Sequence, residues 1–197
     1  MLSGVVGCAF VLCLQAGFHS STADAGAAMH LVTFGTSLTA RGGWQEPLRA
    51  ELEKCLSEPV EVSVIARSGS TTDWALTEVD NVVAARPDIV LIEFYANDAA
   101  LNRFMTVGRS RANIEMILDK LREGLPNTRI IMMIMSPISG VRGLIRPFLS
   151  SYIEAHRAAA EERGIEVVDH TSGWSKLSPS ELDAAIPDGS HPLPEPL

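Results

Sequence analysis

His30-Leu31-Val32-Thr33-Phe34-Gly35-Thr36-Ser37-Leu38 is the stretch on which the reading of the whole chain turns. Leu31–Phe34 reads as a short buried strand that stops at Gly35, and a hydroxyl residue, Ser37, follows just past its end. The glycine predicts a tight turn, because a residue without a Cβ reaches backbone angles that others avoid. Open α/β sheets carry their chemistry at the carboxyl ends of strands. Ser37 therefore stands where a nucleophile would.

Downstream, strand-like and helix-like patterns alternate. Val60–Ala66 is rich in β-branched residues, Ile89–Tyr95 and Arg129–Met135 are nearly all apolar, and Ile165–Val168 closes the series. Helical spacing recurs between them: Leu48, Leu52, Cys55 and Leu56 in a helix from about Trp44, then Ala75, Leu76, Val79, Val82 and Val83 after a cap at Thr72 or Asp73. Ile114, Ile117, Leu118 and Leu121 align in a helix over 111–124, and Phe148–Arg163 forms another, ended by Gly164. Ser178–Ala185 reads as a further helical turn, while 97–110 and 136–147 read as loops. Strands covered on both faces are apolar throughout, as parallel strands between helices must be. The pattern predicts a three-layer α/β/α sandwich around one five-stranded parallel sheet, with strand order 2-1-3-4-5. That order puts Ser37 and Asn97 on the two sides of the crevice between strands one and three.

The chain of 197 residues suits one domain, assigned to 26–197. Apolar residues make up 46% and charged residues 20%, which is globular rather than disordered composition. A formal net charge of −8 repels polyanions, so nucleic acid is not expected as a partner. Gly4–Phe18 is apolar but short for a membrane span, and Ala23-Asp24-Ala25 has the small-residue spacing of a cleavage site. Residues 1–25 thus read as a signal peptide, without the usual preceding Lys or Arg, and predict a secreted or periplasmic protein with no integral membrane segment after cleavage. A mis-assigned start would instead leave it cytoplasmic. Cleavage would remove Cys8 and Cys13, leaving Cys55 as a buried, inert thiol on the apolar side of its helix.

A serine hydroxyl needs a neighbouring base, histidine suits that task near neutral pH, and the imidazole needs an acceptor to set its tautomer. Asp188-Gly189-Ser190-His191 supplies base and acceptor three positions apart, close enough in a turn for the carboxylate to reach Nδ1 and leave Nε2 pointing outward. Acyl transfer also needs donors for an oxyanion. The candidates are the backbone N–H groups of Ser37 and Gly69 and the side-chain amide of Asn97. Each residue alone has a plainer reading, as helix cap, turn, Asx turn or solvent-facing histidine. Together they fall after strands one, two and three and near the C-terminus.

The combination resembles the SGNH hydrolase superfamily, the GDSL esterases and lipases. Gly35-Thr36-Ser37-Leu38 matches the serine block, Gly69 the glycine, Asn97 in Tyr95-Ala96-Asn97-Asp98 the asparagine, and Asp188 with His191 the last block. The resemblance implies a flavodoxin-like sheet, no metal or cofactor, and hydrolysis of carboxylic or thio esters through an acyl-enzyme. Ser37, His191 and Asp188 would be the triad; Ser37, Gly69 and Asn97 would form the oxyanion hole. The substrate would be a small-molecule, glycan or lipid ester. Thr36 replaces the usual aspartate, which implies altered loop hydrogen bonding with activity kept. Tyr95 replaces the usual glycine, and its ring could narrow the acyl pocket or cover the oxyanion site. Two other outcomes of the same fold stay open: a polysaccharide O-acetylesterase or acyltransferase, and a non-catalytic carbohydrate-binding protein.

His170 after Asp169 is a rival base without the Asp-x-x-His spacing, His156 reads as structural or exposed, and Asp98 as a brace of the Asn97 loop. Arg41, Arg103 and Arg142 lie in loops near the crevice, and either bind an acidic group or are simply solvated. Phe104, Met105, Leu144 and Ile145 either line an acyl wall or pack the loops. No cluster has metal-ligand spacing. An α/β-hydrolase elbow would need glycine where Thr39 stands, and no dinucleotide-binding glycine pattern follows strand one.

Overall fold

A computed structural model describes residues 28–193. The leader, its cleavage site, Cys8 and Cys13 lie outside the described residues. Five strands, β1 Met29–Gly35, β2 Val60–Ala66, β3 Ile89–Glu93, β4 Arg129–Ile134 and β5 Glu166–Asp169, form one sheet in the order β2-β1-β3-β4-β5. All four pairings are parallel, as expected. In the register, Gly35 lies opposite both Ala66 and Glu93, so β1, β2 and β3 end level with one another. The loops that carry Ser37, Gly69 and Asn97 thus leave neighbouring strands at one edge.

Alternation along the strands sorts the core into two faces. Val32, Phe34, Val90, Ile92 and Met132 pack on helices α3 (Thr72–Ala85), α5 (Val107–Gly124) and α7 (Leu149–Glu161), through Val79 and Val82, Ile117 and Leu121, and Ala159 and Ala160. Leu31, Leu91, Ile131 and Met133 face the other way, onto Leu48 and Leu52 of α2 (Gln45–Leu56). Each large apolar side chain taken out of water contributes roughly 1.5–3 kcal/mol. The long α5 and α7 are ordered by this burial, since isolated helices of such length are marginal.

The short elements differ from expectation. β3 stops at Glu93 rather than Tyr95, and Tyr95–Asp98 is a one-turn helix, α4. An apolar run cannot tell strand from buried helical turn at this length. α5 starts at Val107, because the Thr106 side chain accepts from the Arg109 N–H at 3.1 Å and caps it. Ser37–Ala40 is α1, Gly140–Leu144, within an expected loop, is α6, and Thr171–Trp174 is α8, whereas α9, Pro179–Ala185 behind a Ser178–Glu181 capping box, is the helical turn expected there. Gly35 is not among the residues with positive φ. Its role is space: a Cβ there would meet Glu93 Oε1 and Thr39 Oγ1, closer than atoms can approach. Cys55 also differs. It is exposed and disulfide-bonded rather than a buried free thiol.

Candidate active site

Thr36 is extended, at φ −95° and ψ −150°, and turns β1 into α1 with Ser37 as the first helical residue. Behind this turn sits Glu93, the last residue of β3 and only 1% exposed. Its Oε1 accepts the Thr36 N–H at 2.5 Å and the Thr39 hydroxyl at 2.8 Å, and the Thr36 hydroxyl lies 3.0 Å from both carboxyl oxygens. Thr36 and Thr39 thus tie the loop to a buried carboxyl that sequence reasoning missed. The signal was there: one carboxyl group ends an apolar run, Ile89-Val90-Leu91-Ile92-Glu93.

Burial pushes the Glu93 pKa up to about 7, against the pull of hydrogen bonds from Thr36 and Thr39. The folded protein therefore holds a proton that the unfolded chain releases near 4.5. This contribution is fully present below pH 4.5, declines as pH rises, and is gone above about 7. Glu93→Gln keeps acceptor and donor but carries no titrating proton. Unfolding free energies from denaturation at pH 5 and pH 8 should show the wild type losing about 2.5 kcal/mol more over that interval than the variant. Parallel losses would place the proton elsewhere.

Ser37 Oγ lies 2.7 Å from His191 Nε2, and His191 Nδ1 lies 2.7 Å from Asp188 Oδ2. Asp188 Oδ1 accepts the backbone N–H groups of Ser190 at 2.9 Å and His191 at 2.8 Å. Burial opposes the charge on Asp188, but the His191 ring and these two N–H groups outweigh it and hold the carboxyl far below the usual carboxylate range. An ionised carboxylate only accepts, so Nδ1 carries the ring proton and Nε2 presents its lone pair to the Ser37 hydroxyl. The turn is clamped from outside. Gly189 has φ +75° and approaches the Ser139 carbonyl so closely that a Cβ would lie 2.5 Å from its oxygen, while its own carbonyl accepts the Ser139 N–H at 2.8 Å.

The Ser37 and Gly69 backbone N–H groups donate to nothing among the described residues. Gly69 has φ +75°. Asn97, at 8% exposure, gives one amide proton to the Ser70 carbonyl at 2.9 Å and accepts Arg146 Nη2 on Oδ1 at 3.3 Å. Arginine only donates, so this contact fixes which amide atom is oxygen and leaves a second N–H unspent. Arg146 is itself held by the carbonyls of Ala96 at 2.6 Å and Arg142 at 2.8 Å. Nothing in the sequence pattern singled it out; burial of an arginine is a property of the fold.

Tyr95 does not cover the site. Its ring is buried with Ala99, Met105, Ile134 and Tyr152, and its hydroxyl accepts the Met135 N–H at 2.9 Å. Asp98 is a brace, accepting from the Thr72 N–H at 2.9 Å and from the Thr72 and Ser110 hydroxyls at 2.6 Å each. His156 is buried and structural: Nε2 lies 2.8 Å from Ser110 Oγ, and burial lowers its pKa to about 3. His170 opens α8 at the end of β5; the ring that reaches Ser37 belongs to His191. Of the apolar loop residues, Met105 is packed away, whereas Phe104, Leu144 and Ile145 are exposed. A cleft of about 570 Å³ lined by Pro126, Ile130 and Gly164 opens at the amino ends of β4 and β5, away from this edge.

A parallel 2-1-3-4-5 sheet with serine, glycine, asparagine and Asp-x-x-His at its carboxyl edge defines an ester hydrolase of the SGNH type. The GDSL-like lipase/acylhydrolase family profile matches residues 22–195, and the chain belongs to that family. No curated protein matches it significantly. Among solved structures, one described as a GDSL-like lipase from Parabacteroides merdae shares 19% identity at TM-score 0.74, covering 85% of this chain and 89% of that one. The lipase/acylhydrolase from Enterococcus faecalis shares 24% at 0.70, covering 83% and 87%. Axe2, an acetylxylan esterase from Geobacillus stearothermophilus, shares 18% at 0.67, covering 86% and 89%. These likenesses are likenesses of fold.

Proposed function

We propose that the protein hydrolyses carboxylic or thio esters through an acyl-enzyme on Ser37. The observation that carries this reading is the unbroken series from Ser37 Oγ through the His191 ring to Asp188, with 2.7 Å at each step. His191 Nε2 takes the hydroxyl proton as Oγ attacks the ester carbonyl. The charge on the carbonyl oxygen is met by the Ser37 and Gly69 N–H groups and the unspent Asn97 amide proton. Collapse expels the alcohol or thiol, which leaves with the proton held by His191. Water then enters, His191 removes its proton, and attack on the acyl-serine returns the carboxylic acid and the free enzyme.

Deacetylation of a polysaccharide, or transfer of the acyl group to a sugar, would use the same machinery with a different alcohol or acceptor. A non-catalytic binding protein would have no need of a relay with an ionised acid and free donors beside it. Secretion or a periplasmic location rests on the leader sequence alone. The test is a fluorophosphonate probe on the folded protein. One adduct, mapped by mass spectrometry to Ser37, is expected; folded protein that takes no label would favour the binding role.

A further inference from the structure

Four guanidinium groups touch the catalytic constellation of a chain whose net charge is −8. Arg146 Nη2 lies 3.3 Å from Asn97 Oδ1. Arg103 Nη2 lies 2.8 Å from where a Cβ on Gly69 would stand, so it covers the open face of that glycine. Arg142 Nη2 lies 3.2 Å from Asp188 Oδ2, and Arg41 Nη1 lies 3.9 Å from the same oxygen. Asp188 is already bonded to His191 and is the only carboxylate these four contact among the described residues. Asp98 faces Thr72 and Ser110 instead.

The cations on the Asn97 side are not neutralised. Arg146 is buried and bonds only to carbonyl oxygens. The exposed Arg103 side chain makes no hydrogen bond or ion pair with the described residues. Burial first, and then the charges of Arg142 and Arg103, lower the Arg146 pKa, which places all three within electrostatic reach of one another. Arg142 is paired with Asp188, but Arg103 and Arg146 contact no carboxylate among the described residues, and an anion held beside these like charges offsets their repulsion through charge-assisted hydrogen bonds.

We propose that Arg103 and Arg142 bind an anionic group of the substrate beside the oxyanion donors, so that the preferred substrate is an ester carrying a carboxylate or similar anion a few bonds from the scissile carbonyl. This rests on the esterase reading of Ser37. Arg146 backs the site by fixing Asn97 and adding its charge, while Arg103, at the end of the 3₁₀ turn Leu101–Arg103, and Arg142, in α6, reach the anion. Protein of this net charge would otherwise repel such a substrate.

Monomethyl succinate and its neutral isostere methyl succinamate separate charge from shape. Wild type should prefer the anion by about tenfold or more in kcat/KM, and rising ionic strength should shrink the preference. In the Arg103→Gln/Arg142→Gln double variant the ratio should fall toward one. A wild-type ratio at or below one, or a ratio unmoved in the double variant, overturns the proposal. Calorimetry on Ser37→Ala reads the anion site without turnover: binding of monomethyl succinate but not of the amide supports it, and binding of both or neither overturns it. Anion-selective binding with no ester turnover by wild type would sink the esterase reading and leave the anion site standing.

Discussion

Ser37→Ala lowers turnover of short p-nitrophenyl esters by about 10⁴-fold or more, with little change in stability. The size follows from what one oxygen does. In the proposed mechanism Oγ is the atom that becomes acylated, and among the described residues no other hydroxyl lies on His191 Nε2. What survives is the work of the oxyanion donors on a water-attacked ester, which in serine hydrolases leaves a residual rate well above solvent. Stability is spared because Ser37 is half-buried and its one side-chain partner is His191, whereas the loop is held by Thr36 and Thr39 on Glu93. Circular dichroism melts beside the rate assay separate the two effects. Full turnover by a folded Ser37→Ala protein would remove Ser37 from the chemistry.

The contrast between Ser37 and Glu93 shows what a chain reveals before it is folded. β2 has its expected bounds, and the buried stripes of α3 and α5 lie where helical spacing put them, because burial imposes a period that a linear pattern carries. Ser37, Gly69, Asn97, Asp188 and His191 were legible because each follows a strand or sits in a short motif. Glu93 supports Thr36 from 57 positions away, and Arg146 fixes Asn97 from 49, so neither contact leaves a local trace. Gly35 was found for the wrong reason. The turn asks nothing unusual of its φ; the Glu93 carboxyl needs the room, and that pairing across the sheet exists only in three dimensions. Cys55 failed differently: the core stripe runs through Leu48, Leu52 and Leu56, and Cys55, one position off it, faces solvent.

Asp188→Asn costs on the order of 10³–10⁴ in kcat, and more than Asp188→Ala does. The two backbone N–H groups of Ser190 and His191 both point at Oδ1. In the asparagine variant they hold the amide oxygen there, which leaves the NH₂ group where Oδ2 met the ring. A donor facing Nδ1 forces the proton onto Nε2, and an Nε2–H cannot take the Ser37 proton. The isosteric change therefore locks the wrong tautomer. Alanine merely removes the partner: the ring keeps access to both tautomers, and Arg142, 3.2 Å from Oδ2 in the wild type, loses its carboxylate. Because the Asp188 side chain is 35% exposed, water can replace part of its support in the alanine variant. Rates measured on one ester for both variants decide the matter. Asp188→Ala at or below Asp188→Asn would mean that the carboxylate acts through its charge, and that the tautomer of His191 is set by something else.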